Sequence, residues 1–231
     1  HSTNSLLFKV FIDDNIKSGG DYKVYEKERI VIRQIGKTPI IGYCEANILT
    51  SNTIYNIFSI TDKFNLKYIF TLLNSKLLKK YWEYKYNDNK NLFPKIKGYQ
   101  LDDLPLVNIP LEKQQPFIEK ADKMLSLNRE LQDLSQKFQR MLLRKFDLEK
   151  LSTKLQEWYL LDFSDFIKEL KRLKVKLSLS QESEWEEYFL EEKSKAIAVD
   201  SEIKNTDKEI DSMVYRLYDL TDEEIKIIEE E

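Results

Sequence analysis

Histidine is almost missing from this chain, since His1 is its only one. Without a usable imidazole, Ser-His-Asp and Cys-His arrangements are excluded, and histidine-based zinc sites go with them. Cys44 is the sole cysteine, so neither a disulfide framework nor a thiolate metal site can form, and a reducing, cytoplasmic setting is expected. Glycine and proline number five each. They are too few and too scattered for a glycine-rich phosphate loop, a dinucleotide fingerprint or a Walker motif. No apolar run approaches the ~20 residues that span a bilayer, and no signal-peptide pattern is present. The chain opens on His1 rather than Met and reads as a fragment of a longer polypeptide, with a cloning remnant in its first few residues.

What is abundant is charge, at 33% of the residues, and the net value of -3 conceals two unlike halves. Residues 1 to 110 hold 16 Lys and Arg against 11 Asp and Glu, or +5, and residues 111 to 231 hold 21 against 29, or -8. A polyanion is therefore expected to bind the first half. The second half is helical in pattern. Phe117, Met124, Leu131 and Phe138 recur every seven residues, with Lys120, Leu127, Leu134, Met141 and Leu148 alongside. This beat predicts a coiled-coil-like helix from Pro116 to Leu148, roughly 50 Å long. A second stripe, through Phe189, Ala196, Ile203, Ile210 and Leu217, predicts its antiparallel partner over Glu184 to Leu220. Between them, Trp158, Phe163, Phe166, Ile167 and Leu170 predict a small helical cap near 150–180, and Thr221 to Glu224 is a capping box.

The first half changes period. Arg29 to Ile35, Ile40 to Ala46 and Thr53 to Ile60 are β-branched runs separated by turn residues, predicting three strands of one sheet. Asn65 to Tyr86 reads as a helix, with Leu66, Ile69, Phe70, Leu73, Leu77 and Trp82 on one face. Leu101 to Leu106, containing Pro105, reads as a short edge element. The domain boundary is placed at residue 110.

No catalytic set emerges. Glu202-Ile203-Lys204 and Glu224-Ile225-Lys226 have a nuclease-like Glu-x-Lys spacing, yet both lie on acidic helices without a partner acid. Such triplets arise by chance in a chain this rich in Glu and Lys. The stronger signal runs from Lys63 to Lys97, where nine lysines face two acids, Glu83 and Asp88, among Tyr68, Tyr81, Trp82, Tyr84 and Tyr86. Such a face could neutralise phosphates; equally, it could be a solvated helix over an aromatic core. Arg33 carries the same pair of readings, a ligand for phosphate or guanine or an edge-strand charge that blocks aggregation.

Four segments occur in a familiar order: Arg33-Gln34-Ile35-Gly36, Leu72-Leu73-Asn74-Ser75-Lys76-Leu77, Phe93-Pro94-Lys95-Ile96 and Leu101-Asp102-Asp103-Leu104-Pro105-Leu106. Together they resemble the target-recognition domain of type IIG restriction-modification enzymes and adenine-N6 DNA methyltransferases, related to type I specificity subunits. Gln115-Pro116-Phe117-Ile118 and the stretch from Val214 to Ile225 resemble that family's spacer helices and closing motif. The resemblance implies a module that docks in the major groove and delivers an adenine to a methyltransferase domain encoded upstream. The Asn-Pro-Pro-Tyr motif and the S-adenosylmethionine site of that domain are not in this sequence.

The reading is thus an α+β recognition domain over 1–110, built on a mixed sheet, and a long antiparallel helical arm over 111–231. Arg33, Gln34, Lys37, Lys76, Lys79, Lys80, Lys85, Asn87, Asn89 and Lys90 are its DNA-facing candidates. Its partners are double-stranded DNA and the upstream methyltransferase domain of the same polypeptide, with no membrane. No catalytic, cofactor or metal residue is assigned here; S-adenosylmethionine, and optionally Mg, belong to the parent enzyme. The competing reading is a helical interaction or dimerisation module that binds no nucleic acid.

Overall fold

The computed structural model describes residues 22–58, 63–86 and 94–230. The fold is α+β. Strands β1 (Arg29–Arg33), β2 (Ile41–Cys44) and β3 (Ile54–Ile57) form one antiparallel sheet in the order β2-β1-β3. Because β1 is central, its hydrogen bonds are taken on both edges, with Ile30 across from Tyr43 on one side and Ile57 on the other. The sheet is therefore antiparallel where the sequence suggested a mixed one. Ile30 and Ile32 are fully buried and join Tyr68 and Leu72 in the core beneath the sheet.

A helix predicted over 65–86 is in fact two, α1 (Leu66–Asn74) and α2 (Lys76–Tyr86). Ser75 breaks it by leaving helical geometry, with ψ at 151°. Its hydroxyl donates to Leu72 O at 2.7 Å and accepts from the Leu78 N–H at 3.4 Å, so one side chain ends the first helix and caps the second. The newly orphaned Lys76 N–H is satisfied from far away, donating to the buried Asp211 carboxylate at 2.7 Å. A carboxylate at a helix N-terminus is favoured by the local dipole. Asn65 caps α1, and the buried Gln114 ties that cap to the chain around it, accepting from Asn65 N and donating to Lys63 O and Ile109 O.

The stretch expected as an edge strand at Leu101–Leu106 is not one. Its first two residues close a short helix, α3 (Gly98–Asp102), and the rest runs without a ladder. Tyrosine hydroxyls reach carbonyls in and just beyond it instead: Tyr218 donates to Pro105 O at 2.5 Å, Tyr81 to Asp103 O at 3.5 Å, and Tyr68 to Val107 O, one residue past the stretch, at 2.8 Å.

Helix α4 (Leu111–Phe146) starts earlier than predicted, with Pro110 O accepting its first bonds and Pro116 inside it. After α5 (Thr153–Gln156) come α6 (Phe163–Arg172), α7 (Leu179–Leu217) and α8 (Asp222–Glu229). Contacts group the chain into two compact units. One runs up to Asp122 and resumes at Asp207; the other is 123–206. By contact, the last turns of α7 group with the sheet-bearing unit.

In the 123–206 unit, Phe138 stacks on Trp158 and lies within 6.1 Å of Phe189, while Phe146 meets Trp185 at 5.0 Å. Ascending positions on α4 thus face descending ones on α7. Leu155, Phe166 and Leu170 of α5 and α6 fill the space beside them. Met124, Leu127, Leu131 and Leu134 are only half-buried, so it is the aromatic cluster that forms the core of this unit. Among the described residues no helix is long and apolar enough to cross a membrane.

Candidate nucleic-acid interface

At one end of the sheet β1 runs past Arg33 into a short second ladder. Ile35 pairs with Lys95, the Ile96 N–H donates to Gln34 O at 2.8 Å, and the Gly36 N–H donates to Pro94 O at 3.0 Å. The turn that follows is pinned to α2, where the buried Trp82 indole donates to Lys37 O at 3.2 Å. Gly36 has φ of 153°, a conformation open to glycine and strained for other residues. A Cβ there would lie 3.1 Å from the Arg33 guanidinium and 3.3 Å from Thr38 O. The Arg33 side chain therefore lies over the turn, held by the absence of a side chain at Gly36.

The two segments that build this edge carry cations and no acids. No Asp or Glu occurs from Arg29 to Cys44 or from Pro94 to Gln100. Arg33, Lys37, Lys95 and Lys97 are all exposed, and none has a carboxylate partner among the described residues. Lys97 lies over the ring of Tyr99 at 5.8 Å. Ile35 stands among them, 51% exposed. Gln34 donates its amide to Asn52 O at 3.3 Å.

The α2 lysines are placed differently. Lys76 is ion-paired with Glu229, which also accepts from the Tyr215 hydroxyl at 2.6 Å. Lys80 donates to Glu230 O at 2.9 Å. The acidic α8 thus lies against this part of α2. Lys85 is paired with Asp103, which also accepts from the Tyr86 hydroxyl, and the Lys85 bond holds the Asp103 carboxyl below its usual range. Lys79 is exposed and makes no direct ion pair among the described residues, but its charge acts through space on the Asp207 carboxylate. Asn87, Asn89 and Lys90 lie outside the described residues. Burial pushes the Asp211 carboxyl up to about 6, against the opposing pull of the Lys76 N–H.

Arg29 is fully buried and structural, donating to Asn56 Oδ1 at 2.8 Å and to backbone carbonyls of Lys27 and Glu45. Lys95 and Lys97 were not among the candidates. Their signal is the alternation Lys95-Ile96-Lys97, which turns two lysines outward around an isoleucine that is 1% exposed. Among the described residues no three His, Cys, Asp or Glu side chains form a metal-ligating group. A cavity of about 310 Å³ lies elsewhere, lined by Glu28, Tyr43, Asn65 and Lys67, and includes none of the edge residues.

Residues 4–106 match the TaqI-like C-terminal specificity domain. The match supports a role in DNA recognition within restriction-modification, and the matched segment contains every basic residue of the edge. Residues 110–214 match a domain of unknown function. No curated protein and no solved structure gives a significant match.

Proposed function

We propose that this chain is the sequence-reading part of a type IIG restriction-modification enzyme or adenine-N6 DNA methyltransferase. The chemistry belongs to a methyltransferase domain upstream in the same cytoplasmic polypeptide. That domain uses S-adenosylmethionine, and Mg where it also cleaves. The specificity domain holds duplex DNA through the edge at Arg33, Lys37, Lys95 and Lys97, while the helices act as a coiled-coil-like spacer. The observation that carries the reading is the set of four cations without a carboxylate partner among the described residues, on a doubly pinned backbone within the segment that matches the specificity-domain model. Cations held this way neutralise phosphates at little ordering cost. The residues of this chain bind and orient; none is assigned to a bond-making step.

The test is titration of the 231-residue chain against random-sequence duplex over a range of salt. Affinity that falls linearly on logarithmic axes supports the reading. Salt-insensitive or absent binding would return the protein to an interaction module. Methyl transfer to DNA by this chain alone would overturn the assignment of chemistry to another domain.

A further inference from the structure

We infer that Ile35 reads the 5-methyl group of a thymine in the major groove. The inference rests on the DNA reading above and goes beyond it in naming a side chain and the base feature it contacts. A singly exposed isoleucine needs no explanation on its own. This one differs in its setting. Arg33 and Lys37 lie two residues to either side, and Lys95 is directly opposite in the ladder, so paired side chains share one face. Exposure is 51% at Ile35, and all three cations are exposed without a carboxylate partner among the described residues. A polyanion drawn to those cations is brought against the isoleucine.

The apolar feature that base pairs present in the major groove is the thymine methyl. The backbone at Ile35 is fixed on both sides, by the Gln34 carbonyl and the Gly36 N–H, and a β-branched side chain on such a backbone has few rotamers. Its methyls are therefore held in place before DNA arrives. Gln34, the neighbouring candidate reader, has its amide engaged by Asn52 O. Bidentate recognition of adenine needs both ends of a glutamine side chain, so the contact available at this position is the apolar one.

The experiment selects bound sequences from a random duplex library with the full chain, then replaces each selected thymine by uracil, which deletes only the methyl. Wild-type protein should lose about fourfold in affinity at one position, the equivalent of one buried methylene. Ile35→Ala should bind the thymine and uracil duplexes equally there. Ile35→Asn, which is close in size but presents no methyl to the base, serves as a second variant if alanine disturbs the ladder. Wild-type indifference to uracil at every position, or an Ile35 variant that keeps the wild-type difference, overturns the inference. Selection that enriches no sequence despite salt-dependent binding also overturns it and leaves the DNA reading standing. Loss of all DNA binding by the wild-type chain removes both.

Discussion

The two lysine groups should separate cleanly under mutation. In one variant Lys37 and Lys95 become alanine; in the other, Lys76 does. Lys37 and Lys95 are exposed and touch no carboxylate among the described residues, so their removal leaves folding unchanged. Each phosphate contact contributes about 0.9 to the slope of log affinity against log salt. The double variant should therefore lose about 1.8 from that slope, and each contact is worth roughly 3.5-fold in affinity across a fourfold change in salt. Lys76 is bound to Glu229, with the two side chains 40% and 44% exposed. Solvent screens such a pair, so Lys76→Ala should cost only about 0.2–1 kcal/mol of stability, with the salt slope intact. Fluorescence anisotropy on one duplex, beside a denaturant melt of each variant, reads both quantities. Equal loss of slope in the two variants would refute the division of labour. So would an unchanged slope when Lys37 and Lys95 are removed.

Three further outcomes follow from the geometry. Gly36→Ala should lower stability by about 1–2 kcal/mol and weaken DNA binding by displacing the Arg33 guanidinium; a variant with wild-type melting and affinity would show that the turn tolerates a side chain. Asp211, 6% exposed, has a folded pKa of about 6, above its unfolded value near 3.9. The native state therefore binds the extra proton, and stability falls as pH rises through about 6. Asp211→Asn, which keeps an acceptor for Lys76 N, should gain about 1–2 kcal/mol at pH 8 and nothing near pH 4, after allowing for lost attraction to Lys76; melts that differ equally at both pH values would contradict this. Phe138→Ala removes a fully buried ring from the aromatic cluster and should cost about 3–5 kcal/mol, loosening the 123–206 unit, as hydrogen exchange would report.

How much was legible depended on whether the deciding partner was close in sequence. The strands could be read because Arg29 to Ile35 and its neighbours carry their own β-branched pattern and turns. The Thr221–Glu224 capping box is likewise local, with Thr221 N donating to the Glu224 carboxylate at 2.8 Å. The break at Ser75 was invisible because the carboxylate that receives the freed Lys76 N–H is Asp211, 135 residues on. Leu101–Leu106 was misread for a similar reason, since hydroxyls from Tyr81 and the distant Tyr218 take the place of the ladder its composition suggested. At the interface, a lysine-rich count could not separate Lys37 from Lys76. Both are cations in a basic half, and only the placement of α8 distinguishes them.

The return of α7 and α8 to the sheet-bearing unit matters to anyone who would exchange specificities between such proteins. A cassette cut as one contiguous block ending near residue 110 would leave behind Asp211, Tyr215 and Glu229, and with them the group that receives the first N–H of α2. A transplant must therefore splice at two places and carry a C-terminal strip along with the edge at Arg33, Lys37 and Lys95.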